Sequence, residues 1–375
     1  MKLLAYVHLH RIHNATGAGR VARNIIEQLS LAGKDEIRVL AQGLDRQALV
    51  SEIGAPWDQF QYHDFSGTIS WQQARWLFVD RPPAERWWPE AQIVYCASES
   101  YVPTRRARSV VTLHDAAYFE EGALSRSFDS MRQRLKWRIL HGKLERKVDM
   151  FHTVSHFSAE RLAHFFPAMR SRLRVVHNGV SERFFLPPNA AGEAELTRLR
   201  LNDRPFVLLP GGLSFRKNAD LVLEAWPALS AQHPDLMLVV ASHCDAQYIE
   251  KAKALGPSVL LTGYVSDDVL CSLYHAARIV WFPSLYEGFG MPVLEAMACG
   301  TAVLASASSS LPEVGGDAAL LIDPQLPSRH VEALDALLTD EATRNAMVER
   351  GLERSRGFTW KIAAATLREN LTELA

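Results

Sequence analysis

Apolar runs of strand length recur along the chain, and each is followed by a segment with helical spacing of its apolar positions. In the first half the runs are KLLAYVHL, IRVLAQG, QIVYCAS, SVVTLHD, MFHTVS and LRVVHNGV; in the second they are PFVLLPG, LMLVVAS, SVLLTGYV, RIVWFPS, TAVLAS and AALLIDP. This alternation predicts parallel sheets covered by helices, the α/β class with doubly wound, Rossmann-like sheets. The rhythm breaks at RFFLPPNAAGEAELTRLRLND (183–203), where prolines, small residues and charge replace it. The expected organisation is a first domain over 1–183, a linker with a short lead-in helix over 184–203 and a second domain over 204–357. FTWKIAAATLRENLTELA then reads as an amphipathic terminal helix over 358–375 that packs back on the first domain. Two such domains face each other across a central cleft, and ligands of these sheets gather in loops beyond the carboxyl ends of the strands.

Composition narrows the function classes. The 375 residues are 48% hydrophobic and 22% charged, ordinary for a globular protein and enough for two cores. A formal charge of −1 argues against wholesale nucleic-acid binding. The longest apolar runs are core-strand length and far short of a bilayer span. MKLLAYVHLHRIH fits a buried first strand better than a secretory signal. Cys96, Cys244, Cys271 and Cys299 are scattered without a CxxC pair, which reads as buried free thiols in a reducing cytoplasm.

Two loops of the second half carry chemistry. GGLSFRKN (211–218) follows the strand FVLLP and precedes the helical NADLVLEAW. Gly211 and Gly212 permit a tight turn, and Arg216 and Lys217 stand at the mouth of a helix whose first amides attract anions. Guanidinium and ammonium there suit a diphosphate; a lone basic turn would read first as solvated surface, but its place after the first strand of a domain reverses that preference. The second loop, EGFGMPVLE, places Glu287 and Glu295 eight positions apart around Gly288, Phe289, Gly290 and Met291. Pro292 suits a first helical turn, so the amides of Phe289 through Val293 are expected to cradle phosphate oxygens. Glu295 is placed to accept from a ribose diol and Glu287 to reach hydroxyls of a second sugar. The alternative for Glu295, complementing the helix dipole, leaves Glu287 and the glycines unexplained.

EGFGMPVLEAMACGTAVLAS resembles the E-x7-E signature of the family 4 retaining glycosyltransferases, which have the GT-B fold. GGLSFRKN, LTGYVSDDVLCSLYHAARIVWFPS, SSSLPEV and DAALLIDP are similar to that family in its usual order. So are TGAGRVARNIIEQL, VVTLHDAAYF and TVSHFSAERL…VVHNGV in the first half, and the likeness covers nearly the whole chain. It implies that Arg216 and Lys217 neutralise the donor diphosphate, that Glu295 binds the ribose and that Glu287 binds the hexose near its C3 and C4 hydroxyls. The backbone from Gly288 to Met291 would hold donor oxygens, and the turn at Gly263, Tyr264 and Val265 would flank the base. Many members carry arginine immediately after the first glycine of the phosphate loop; this chain has Gly212, and Arg216 takes that part.

In the first domain, Gly17 and Gly19 of TGAGR (16–20) allow donor phosphate or acceptor to approach the backbone, and Arg20 either steers anions or covers a solvated face. His114 and Asp115 close a strand at its carboxyl end. The resemblance places the histidine near the donor sugar, and we assign Asp115 and Arg20 to the acceptor side. The other reading of His114 is a structural histidine paired with its neighbour. His8, His10 and His13 do not share one face, no DxD occurs, and the resemblance implies neither metal nor cofactor beyond the nucleotide-sugar substrate. Between 125 and 149 basic residues outnumber acidic ones eight to three, interleaved with Met131, Leu135, Trp137 and Ile139. That segment reads either as a solvated helix or as a docking surface for the inner face of the cytoplasmic membrane, a reading strengthened by the tryptophans of RPPAERWWP.

The expected activity is transfer of a hexose to a glycan or lipid-linked glycan acceptor in lipopolysaccharide or other polysaccharide biosynthesis. GDP-mannose is the first donor expected, since HDAAYF and GGLSFRKN resemble bacterial mannosyltransferases of surface-polysaccharide assembly. A UDP- or dTDP-sugar donor (glucosyl or rhamnosyl transfer), an epimerase or phosphorylase of the same fold, and a non-catalytic sugar-nucleotide-binding subunit stand as alternatives.

Overall fold

The computed structural model describes all residues except 14–16, 45, 122 and 124–127, with backbone alone at 128–130. Thr16 of TGAGR and the first residues of the basic segment therefore lie outside the described residues.

The strands are β1 (Lys2–Tyr6), β2 (Glu36–Gln42), β3 (Gln61–Phe65), β4 (Ile93–Cys96), β5 (Arg108–Leu113), β6 (Met150–Thr153) and β7 (Leu173–Val175). They are followed by β8 (Phe206–Pro210), β9 (Met237–Ala241), β10 (Val259–Gly263), β11 (Ile279–Phe282), β12 (Ala302–Ser306) and β13 (Ala319–Ile322). They form two wholly parallel sheets, ordered β3-β2-β1-β4-β5-β6-β7 and β10-β9-β8-β11-β12-β13. Both sheets are doubly wound, as the apolar runs predict. β4, β8, β9 and β11 are buried along their whole length because helices cover both faces. β3, QYHDF, is the one strand the pattern does not reveal: it is a sheet edge, only its last residue is buried, and Gln61 and Asp64 are exposed.

The chain divides into two compact units, one of residues 1–119, 127–178 and 360–375, the other of residues 120–126 and 179–359. In the first unit, Tyr6, Trp76, Trp88, Phe151 and Leu144 belong to one core. The Trp360–Leu374 helix packs on the Gly17–Leu31 helix of this unit. Its Arg368 reaches Asp35 at 2.8 Å, and the fully buried Asp35 carboxylate also receives the amino group of Met1 at 2.9 Å. The basic Phe128–Lys147 helix is fixed by Lys143, whose ammonium lies 2.7 Å from Asp80. Its inner face carries His141 and Leu144, while Met131, Leu135 and Ile139, each four residues apart, line the opposite side and are exposed. Trp88 of RPPAERWWP is buried in the core, and the half-buried Trp87 donates to the Asp64 carbonyl, so these tryptophans do not form the exposed patch expected of them.

In the second unit the core runs from Val207 and Trp226 to Trp281, Leu304 and Leu334. Each fully buried side chain of this size contributes about 1.5–3 kcal/mol. The stretch 184–203, expected as a linker, lies within this unit. Its Ala190–Arg198 helix packs on the Asp267–Ala276 helix so closely that a Cβ at Gly192 would stand 1.9 Å from Ser272 Oγ.

Candidate active site

In the second sheet the strand order reverses between β8 and β11, so the loops leaving their carboxyl ends diverge to opposite faces and leave a crevice. GGLSFRKN leaves β8 and the Pro283–Gly290 loop leaves β11. The two are stitched together where the Leu285 amide donates to the Arg216 carbonyl at 2.9 Å.

Backbone geometry explains the glycines. Gly212 sits at φ +74, and a Cβ there would stand 1.6 Å from the His243 carbonyl oxygen. No arginine, or any other side chain, fits at this position in this chain, which leaves Arg216 as the loop's guanidinium. Gly290 sits at φ +108, and a Cβ on it would stand 2.6 Å from Leu311 Cδ2, so it too has no room for a side chain. Asn218 takes the left-handed conformation at φ +58 to begin the Ala219–Gln232 helix, and its side-chain amide donates to the Pro324 carbonyl at 2.7 Å.

The centre of the site is an ion pair. Lys217 Nζ lies 2.6 Å from Glu287 Oε1, with both side chains at least 85% buried. The ammonium also stands over the Phe282 ring, 4.4 Å from its centroid. Burial pulls the Lys217 ammonium below its ordinary range, against the pull of Glu287. Burial alone would raise Glu287, but the charges of Lys217 and Arg216 more than offset it and hold the carboxyl below the usual carboxylate range. Three consecutive serines shape the loop that carries Glu287. Ser309 Oγ accepts from the Glu287 amide at 2.9 Å, and Ser310 Oγ is placed to donate to the carbonyls of Glu287 and Phe289 at 2.9 and 2.8 Å. Ser308 Oγ lies 3.1 Å from the Ser284 carbonyl.

The Met291–Ala298 helix follows. Val293 and Leu294 are fully buried, and Glu295 is 6% exposed, held by the Tyr274 hydroxyl, which donates to its Oε2 at 2.9 Å. The expected run of phosphate-facing amides is shorter than Phe289 to Val293. Pro292 has no N–H, and the Val293 amide already donates to the Gly290 carbonyl at 3.0 Å. The amides of Gly290 and Met291 have no partner among the described residues. Gly288 is buried, and Phe289 turns its ring inward, 3% exposed and 6.2 Å from the Phe358 ring.

Arg216, Lys217, Gly211, Gly212 and the 287–291 segment thus gather at the ends of β8 and β11, and Glu295 one helical turn beyond. Tyr264 and Val265 lie apart from them, past the end of edge strand β10, with Tyr264 82% exposed. Tyr274, Asn218 and the serines 308–310 were not singled out from the sequence. They lie within stretches already quoted for the family likeness, SSSLPEV, GGLSFRKN and LTGYVSDDVLCSLYHAARIVWFPS, but nothing in those stretches gave them a role.

In the first unit, His114 lies just past β5. Its amide donates to Glu99 Oε1 at 2.8 Å, and its Nε2 is buried without a hydrogen-bond partner among the described residues. Asp115 Oδ1 accepts from the Ala117 amide at 2.9 Å, closing a turn. Gly17 opens the Gly17–Leu31 helix, Gly19 is buried within its first turn, and Arg20 follows on that helix.

Comparison with known proteins places this geometry. Residues 15–184 match the family model of Glycosyltransferase Family 4, and residues 194–354 match that of Glycosyl transferases group 1. The O-antigen chain mannosyltransferase B of Escherichia coli is 28% identical over 92% of this chain and 93% of its own. Among solved structures, Anabaena Alr3699/HepE, crystallised with UDP and glucose, superposes with a TM-score of 0.75 at 16% identity over 100% of both chains. WaaG, a glycosyltransferase involved in lipopolysaccharide biosynthesis, superposes at 0.73 with 18% identity over 98% of both. The two domain folds are those of the GT-B glycosyltransferases. With its two consecutive domain matches spanning most of the sequence, the chain belongs to the family 4 glycosyltransferases.

Proposed function

We propose that the protein is a retaining glycosyltransferase that moves a hexose, mannose from GDP-mannose in the first instance, to a hydroxyl of a glycan or lipid-linked glycan in surface-polysaccharide assembly. The observation that carries this reading is the buried Lys217–Glu287 pair, with the Arg216 charge acting on both and the Gly290 and Met291 amides without a partner among the described residues. An anionic diphosphate entering there would meet the charges of Lys217 and Arg216. Catalysis rests on the leaving group: Arg216, Lys217 and the amides take the charge that grows on the diphosphate as the sugar departs. These cations supply the stabilisation, so the reading requires no metal. Glu287, engaged with Lys217, is placed as a grip for sugar hydroxyls, and Glu295, oriented by Tyr274, as the ribose acceptor. His114, with an unengaged ring nitrogen, is the first-unit group assigned to the donor sugar. Mannose rests on the E. coli relative; a UDP- or dTDP-sugar suits the same site.

No described helix is long and apolar enough to cross a membrane. Contact with lipid is instead assigned to the stripe of Met131, Leu135 and Ile139 on the basic helix.

Donor identity is read by thermal unfolding with GDP-, UDP- and dTDP-sugars, since a ligand at about 100 times its Kd adds about 2.7 kcal/mol of stability. The largest rise is expected with GDP-mannose. A larger rise with another nucleotide reassigns the donor, a rise with neither transfer nor donor hydrolysis leaves a non-catalytic sugar-nucleotide-binding subunit, and no rise with any donor speaks against the reading. Arg216→Ala is expected to lower turnover about 10²–10³-fold, as for loss of one oxyanion donor, and Lys217→Ala similarly. Near-normal turnover in both would remove the diphosphate assignment. Glu287→Gln is expected to weaken donor binding yet retain measurable turnover, and to cost about 3–5 kcal/mol by leaving Lys217 buried without its counter-charge. Because the folded pKa of Glu287 is depressed, its stabilising share is present above the ordinary carboxylate range and is lost as pH falls through the lowered value. Denaturant unfolding across pH should show less acid-side loss in the variant. Finally, Leu135→Glu should reduce co-sedimentation with anionic phosphatidylglycerol vesicles while leaving donor hydrolysis unchanged; unaltered sedimentation speaks against the lipid surface.

A further inference from the structure

Behind the Tyr274–Glu295 contact lies a group of side chains that the transfer reaction does not use. Cys271 and His275 stand one turn apart on the Asp267–Ala276 helix, and Cys299 caps the end of the Met291–Ala298 helix. One ligand atom from each of the three lies within 4.8 Å of the other two. Both sulfurs are buried free thiols, and the imidazole is half-buried. The sequence offers the Cys-x3-His half of this set at helical spacing; Cys299 joins it only through the fold, by way of the packing between the two helices.

We propose that Cys271, His275 and Cys299 bind a soft divalent cation, zinc being the cation of choice for this donor set. Two features support the assignment. Two thiolates and one imidazole balance the charge of a dication and match the sulfur and nitrogen preference of zinc. His275 Nε2 lies 3.0 Å from the Leu186 carbonyl oxygen, which only accepts, so Nε2 carries the proton and Nδ1 keeps the lone pair. A carbonyl partner of this kind fixes the tautomer and ring orientation of metal-binding histidines. Zinc takes cysteine as thiolate, so binding releases thiol protons.

The ion would join two helices that meet at the site. Tyr274 precedes His275, and the Cys299 amide donates to the Glu295 carbonyl at 3.1 Å. A metal across the sulfurs therefore braces the pair Tyr274–Glu295 from behind, without touching substrate.

The test is titration of untagged, chelator-stripped, reduced full-length protein with Co²⁺ and then Zn²⁺. The expected result is thiolate-to-cobalt charge-transfer absorbance that saturates at one ion per chain, is displaced by Zn²⁺ and is accompanied by proton release. Zinc should also protect both thiols from alkylation. Cys299→Ala should lower Zn²⁺ affinity about 100-fold or more, at least the upper end of the cost of losing an outer partner. His275→Gln, at a half-exposed position, gives the same comparison should the cysteine variant fail to fold. Absence of the charge-transfer band, alkylation that zinc does not slow, or undiminished affinity in a folded variant would each overturn the assignment.

Discussion

The second unit depends on keeping one ammonium and one carboxylate together away from water. Lys217 and Glu287 come from loops 70 residues apart in sequence, and neither charge is tolerable at that depth without the other. Their pairing fixes how the turn after β8 meets the turn after β11. Nearby contacts follow from it: the Leu285–Arg216 backbone bond, the stack of Lys217 over Phe282, and the serine supports beneath Glu287. A pair so confined also costs the fold part of its stability, and sites that bind charge accept that cost to hold charge in readiness. Here the arrangement keeps Lys217 and Glu287 ordered where the turns after β8 and β11 meet.

Glycine and serine complete the arrangement by opposite means. Gly212 and Gly290 lack a side chain because backbone or a core methyl stands where one would go. Serines 308–310 do the reverse, using short hydroxyls to occupy the backbone groups of a loop that belongs to neither sheet nor helix. The result is a loop whose shape is held by its neighbours.

The fold was legible because parallel strands buried on both faces must be continuously apolar, and among the described residues every strand but β3 falls within an apolar run. β3 did not, since an edge strand with solvent on one side can carry Gln61, His63 and Asp64. The 184–203 stretch misleads for a related reason: prolines and small residues read as linker, yet Gly192 is small because a helix presses on it. At the candidate site, the positions of Arg216, Lys217, Glu287 and Glu295 could be read from loop-after-strand placement. The partners that set their state could not. Nothing in spacing says that Tyr274 holds Glu295, that Glu287 faces Lys217, or that Val293 spends its amide on Gly290. Such facts arise from contacts across many residues, and local pattern is silent about them. Trp88 likewise looked like surface in a polar, proline-rich context, although its size suits it to a core.

The Trp360–Leu374 helix makes the first unit discontinuous: the chain leaves it at Asn178 and returns at Trp360. This constrains how such proteins can exchange parts. A chimera that joins one protein's first 178 residues to another's remainder also imports a foreign tail onto the face of the Gly17–Leu31 helix, and a foreign residue opposite Asp35. Recombination that respects the fold must therefore cut twice, near 178 and near 360. The intervening block can then move between relatives as a cassette while the first unit keeps its own tail.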